Sequence, residues 1–215
     1  PIVLVPGLAS GAWTWNGVIP HLAAKHSVYA VTLAGFAGRP AAGATTFAAF
    51  ENDLTALLDQ RHLAKPVLVG HSLGGTLAID YAETHPDRAR AVVAADGLPV
   101  FPGMQQLTAQ QREAAGAQMG AAVKGQSHDQ LLAFEKGYMA TVGVSDAALA
   151  EQLAALSSQS EPAAVGAWLQ TDLAADLRPN LAKITVPVLE ILPFVPAETT
   201  AVMGAYSSES EKAAY

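Results

Sequence analysis

The chain contains no cysteine, which excludes disulfides, a thiol nucleophile and cysteine-held metal sites but leaves the compartment open. Its six histidines are scattered without paired ligand spacing, so no metal site is expected. Positive charge is scarce: 12 Lys and Arg face 19 Asp and Glu, a formal charge of −7. That balance argues against nucleic acid or an anionic membrane surface as partner. No apolar run approaches the roughly 18 residues of a membrane span. Charged residues make up 14% of the 215 positions and hydrophobic ones 51%, so apolar material for a buried core is ample. The length suits one large domain or a core with an inserted subdomain. An initiator methionine is also lacking: the chain opens at Pro1, already in an apolar run, and closes at Tyr215 in a polar stretch. Both ends are expected to be cut, and any leader peptide would precede residue 1.

What is present centres on Gly70-His71-Ser72-Leu73-Gly74. This G-x-S-x-G pentapeptide follows the apolar run Pro66-Val67-Leu68-Val69 and opens onto a helical stretch over 76–84, which His85-Pro86 ends. Strand, sharp turn and helix are the context in which such a serine becomes a nucleophile. The glycines let strand and helix pass closely while Ser72 is held strained and its hydroxyl stands clear of the sheet. A serine hydroxyl needs a base to take its proton, and acyl chemistry needs donors for the developing oxyanion. One expected donor is the backbone N–H of Leu73, at the start of the helix, where the dipole favours negative charge. The other is expected from the loop Pro6-Gly7-Leu8-Ala9-Ser10-Gly11 after the first strand, through Leu8 N–H.

Short β-branched runs alternate with longer helical patterns, the signature of a parallel sheet covered on both faces. Strands are expected at 2–5, 27–33, 66–71, 91–96 and 186–192. Phe47, Phe50, Leu54, Leu57 and Leu58 recur at helical spacing, with Glu51, Asp53 and Asp59 on the opposite face. From about 102 to 182 the chain is rich in Ala, Gln and Leu and carries no strand pattern. Ser145 and Ser160 are expected to cap helices there, the first carrying Leu149, Leu153 and Leu156, the second Val165, Trp168 and Leu169. The reading is an α/β fold in three parts: core over 1–101, a helical cap over 102–182, and a returning, incomplete core over 183–215.

These residues resemble the α/β-hydrolase superfamily, in its capped esterase and haloperoxidase-like branch. Gly70-His71-Ser72-Leu73-Gly74-Gly75 resembles that branch's nucleophile elbow. Pro6-Gly7-Leu8, followed by Trp13, is similar to its oxyanion loop, with Pro6 where histidine is usual. Residues 32–40 resemble the family's Asp-x-x-Gly-x-Gly-x-Ser loop, from which Thr32 and Pro40 depart. Asp87-Arg88-Ala89-Arg90-Ala91-Val92-Val93 matches the entry to the next strand. The resemblance implies a mostly parallel sheet with an inserted helical cap, and hydrolysis of small to medium carboxylic esters through an acyl-enzyme on Ser72. It implies no cofactor and a small-molecule ester as partner, with Trp13 either shaping the acyl pocket or serving as plain core.

The departures concern the rest of the triad. The family's general base is a histidine near the C-terminus, and this chain has none beyond His128. The base is therefore expected beyond Tyr215. His71, beside Ser72 on the strand, points away from it and reads as a packing residue. His128 reads as a solvated helix end, and His21, His26, His62 and His85 as surface groups. For the acid, the alternatives are Asp96, at the end of the strand after the elbow helix, Glu198, after the strand over 186–192, or neither. Amidase, lactonase or perhydrolase activity fits the same scaffold. So does a binding module that kept the elbow without turnover.

Overall fold

A computed structural model describes residues 1–192. Five strands form one sheet: β1 (Ile2–Val5), β2 (Val28–Ala30), β3 (Val67–His71), β4 (Ala91–Ala95) and β5 (Val188–Ile191). Their order is β2-β1-β3-β4-β5, and every pairing is parallel. All five expected strands are present. β1 is buried along its length, as a near-continuous apolar strand covered on both faces should be.

The chain runs outward from β1 to β2, then returns to place β3 on the other side of β1. β1 and β3 therefore flank the point where the winding reverses. In open α/β sheets, ligands bind at the carboxyl ends of such strands. The loop after β1 and the turn after β3 emerge there together.

Helix α1 (Ile19–Ala23) is short, while α2 (Phe47–Gln60) and α3 (Leu73–Thr84) cover the sheet. Thr46 caps α2 by accepting from Ala49 N, and Phe50, Leu54 and Leu58 are buried as their spacing implies. Glu51 differs from expectation. It turns toward α3 and lies 3.5 Å from His85 Nδ1, which itself stacks on Tyr81. The sequence reading treats α2 alone, whereas α3 supplies a polar neighbour for that face. His21, His26 and His62 are exposed, His85 is partly buried, and His128 is an exposed first residue of its helix.

Between β4 and β5 lie α4 (Ala109–Lys124), α5 (His128–Tyr138), α6 (Ala147–Ser157) and α7 (Pro162–Ala174). The two expected serine caps are each displaced by one residue. Asp146 caps α6 by accepting from Leu149 N, and α7 starts after Glu161 with Pro162 in its first turn. Aspartate accepts as well as serine, and proline at the first helical position leaves the preceding residue outside the helix. Ser160 is buried and works across the fold instead. Its hydroxyl donates to Ala9 O (3.1 Å) and accepts from Ala37 N (3.0 Å). Glu161 N donates to Gly35 O (2.7 Å) and its carboxylate accepts from Ala41 N (2.8 Å). The entry to α7 is thus tied to the loops after β1 and β2.

Candidate active site

Ser72 sits between β3 and α3 with φ 51° and ψ −126°, a conformation disfavoured for any residue with a side chain. A Cβ on Gly70 would collide with Gly74 O, and one on Gly74 with Val5 O. No side chain fits at either position, so the G-x-S-x-G spacing follows from contact geometry. The strained backbone is held by Ser72 N donating to Ala95 O (2.9 Å) and by Ser72 O accepting from Gly75 N (2.7 Å). Ala9 and Asp96 also adopt positive φ, at 54° and 56°. Three of the strained non-glycine residues therefore belong to the turn after β3 and the loops after its neighbours. Such clustering marks functional sites.

The loop after β1 lies against the turn. A Cβ on Gly7 would stand 3.2 Å from Ser72 Cβ and 3.0 Å from His71 Nδ1. Leu8 follows at once, and Ser10 N closes the loop onto Gly7 O (3.2 Å). Leu73 is the first residue of α3, where backbone N–H groups lack helical acceptors. Ser72, Leu73, Thr76, Asp96, Leu98, Phe101, Pro102 and Asp172 line one small pocket. Thr76 Oγ1 donates to Leu98 O (2.9 Å) and Asp96 N to Ile191 O (2.8 Å), fixing the β4 exit over α3.

A family model for the alpha/beta hydrolase fold matches residues 1–181. The chain belongs to the α/β-hydrolase fold family. It is 30% identical over 201 residues to a pimeloyl-(acyl-carrier protein) methyl ester esterase of Aromatoleum aromaticum, covering 87% of this chain and 76% of that protein. A protein of the same description from Aeromonas hydrophila is 32% identical over 103 residues, 46% of this chain and 39% of that one. The chain spans less than half the length of the first curated relatives it matches. A thermophilic esterase from Thermogutta terrifontis superposes with a TM-score of 0.78 at 18% identity, over 100% of this chain and 76% of the other. That likeness shows the fold.

Within this α/β-hydrolase fold, the expected residues fall as follows. Ser72, Leu73 and Asp96 come together in one pocket, and the Leu8 loop borders it. Glu198 lies outside the described residues. Trp13 sits in a 3₁₀ turn, partly buried, and is not among the described residues lining the pocket. His71 ends β3, where burial lowers its pKa, in keeping with a packing role.

Asp172 of α7 is the residue the sequence reading missed. Burial alone pushes its carboxyl up to about 7. A signal was there: Val165, Trp168, Leu169 and Asp172 follow i, i+3, i+4, i+7, so an acid occupies the apolar stripe of α7. Tyr138 of α5 also feels the site, its hydroxyl pushed up by burial and then by the charges of Asp96 and Glu135.

Proposed function

We propose that the protein is a serine hydrolase that cleaves small to medium carboxylic esters through an acyl-enzyme on Ser72. The observation that carries this reading is the strained conformation of Ser72 at the winding reversal of the sheet. There its hydroxyl opens to a pocket at the strands' carboxyl ends. The esterase description of the Aromatoleum relative supports the ester as the bond attacked.

Ser72 Oγ attacks the ester carbonyl, and the negative charge on that oxygen is held by Leu73 N–H and Leu8 N–H. The dipole of α3 adds to the first of these donors. A histidine takes the serine proton and returns it to the leaving alcohol. None of the six histidines is among the described residues lining the pocket. Asp96 orients the base's second ring nitrogen; Glu198 is the other carboxylate considered for this role. Water then attacks the acyl-enzyme and releases the acid. Residues 102–182 serve as a cap over the pocket, reached through Phe101, Pro102 and Asp172. No step calls for a cofactor.

The test is steady-state hydrolysis of p-nitrophenyl acetate, butyrate and octanoate by the full-length protein. The corresponding anilides and a six-membered lactone are run beside them. Ester turnover is expected to exceed anilide turnover and to fall by about 10⁴-fold or more in Ser72→Ala. Absence of ester turnover, or turnover untouched by Ser72→Ala, overturns the reading.

A further inference from the structure

The pocket beside Ser72 is lined by two carboxylate side chains, Asp96 and Asp172, and by no basic residue among the described ones. The remaining lining residues are apolar or hydroxyl-bearing, so the two acids are the charged side chains among the described lining residues. Asp96 belongs to the β4 exit and is accounted for in the mechanism. Asp172 is not. It reaches the pocket from α7 and has no role in the proton relay.

The inserted helices carry the same imbalance. Residues 102–182 contain four Lys or Arg and eight Asp or Glu. Each of the four bases is engaged elsewhere. Arg112 and Arg178 both pair with Asp176, at 3.4 and 2.8 Å. Lys136 pairs with Glu151 at 3.0 Å, and Lys124 donates to Gln170 Oε1 at 2.8 Å. The partner of Lys124 is a neutral amide, and none of the four bases is among the described residues lining the pocket with Asp172. An acid on the apolar stripe of a helix costs stability unless it is paired or neutral. Burial raises its pKa, and its carboxylate has no hydrogen bond or ion pair among the described residues. A buried acid of that kind, lining the same pocket as Ser72, is a candidate for contact with a ligand.

We propose that Asp172 is a specificity-determining residue that selects substrates by charge. Esters bearing an ammonium group are preferred over neutral ones, and esters bearing a carboxylate are excluded. The inference rests on the serine-hydrolase reading and narrows its substrate class. An incoming cation is attracted by Asp172 and holds it ionised. An incoming carboxylate meets two acids with no base to pair with, a repulsive form of discrimination. The effect is strong because the partly buried site screens charge less than water does.

The test uses three p-nitrophenyl esters of equal chain length, ending in trimethylammonium, in its uncharged tert-butyl isostere, or in carboxylate. They are assayed at pH 8 with the full-length protein, its Asp172→Asn variant and its Asp172→Glu variant. In the wild type, kcat/KM is expected to fall in the order trimethylammonium, tert-butyl, carboxylate, with about 100-fold between the extremes. Asp172→Asn is expected to reduce that ratio by about tenfold, while Asp172→Glu keeps the order. Equal rates on the charged esters in the wild type, or a ratio unchanged in Asp172→Asn, overturn the inference while leaving the hydrolase reading intact. The wild-type order stands as a test even if the variants do not fold. Failure of the wild type on all three esters overturns the hydrolase reading itself, and the inference falls with it.

Discussion

The hydroxyl of Ser160 donates to the carbonyl of Ala9 over 3.1 Å, joining residues 151 positions apart. The same oxygen accepts from Ala37 N, so one buried hydroxyl ties the start of α7 to two loops at the strands' carboxyl ends. Ala9 adjoins Leu8, the second proposed oxyanion donor. Ser160→Ala leaves a carbonyl and an N–H without their partner, at a cost of about 1–3 kcal/mol. Thermal unfolding should therefore occur roughly 2–10 °C lower. Ester turnover should fall as well, because the Leu8 loop loses an anchor. An unchanged unfolding temperature would show that the contact contributes nothing.

The turn that holds Ser72 leaves no room for a methyl group at Gly74, where Val5 O stands in the way. Gly74→Ala should cost about 3 kcal/mol or more, read as a drop in denaturant midpoint or failure to fold. Gly17 is the control, because nothing lies within 4 Å of a Cβ placed there. Gly17→Ala should stay within about 0.5 kcal/mol of the wild type.

Buried acids set the pH dependence of stability. Asp80 is pushed up to about 8 by burial first, then by the charge of Glu51, a hydrogen bond with Glu51, and the charge of Glu83. Glu83 and Glu135 reach about 7, each mainly through burial, with Lys183 opposing the rise in Glu83 and Ser157 that in Glu135. Unfolded, such carboxyls release their protons near pH 4. The folded state therefore binds more protons between about pH 4 and pH 8, and stability falls as pH rises through that window. Urea midpoints at pH 5, 7 and 9 should decrease in that order. Asp80→Asn should flatten the decline. A midpoint that rises with pH would contradict the burial of these acids.

Two helix starts provide a smaller test. Thr108 and Gln111 bond reciprocally at the start of α4, as Ser127 and Gln130 do at α5. Thr108→Ala and Ser127→Ala should each cost about 1 kcal/mol, additively, since the caps share no partner. Calorimetric melting of both single variants and the double variant checks this.

Those capping boxes also show what was legible. Thr108-x-x-Gln111 and Ser127-x-x-Gln130 are written plainly in the chain, whereas Ser145 and Ser160, expected as caps, each stand one residue before the helix cap. Local signals mark a helix end to within a residue, and Asp146 and Pro162 decide the position by their own chemistry. The strands were readable because each is a short apolar run bounded by breakers. Ser72 was readable because the glycines that permit its turn, Gly70 and Gly74, stand within two residues of it, although Ala95 and Val5 help to hold the turn. The turned face of Glu51 and the stitch at Ser160 were not read in this way, because each depends on a partner far along the chain and no local spacing reports that. Asp172 has a local signal in the apolar stripe of α7, but only the fold brings that stripe to the pocket beside Ser72.

The most direct measurement is labelling of the full-length protein with a fluorophosphonate, followed by intact mass and peptide mapping. A single adduct on Ser72, absent from a folded Ser72→Ala variant, is the expected result. No adduct, or an adduct that persists in Ser72→Ala, would mean that the turn after β3 carries no activated nucleophile.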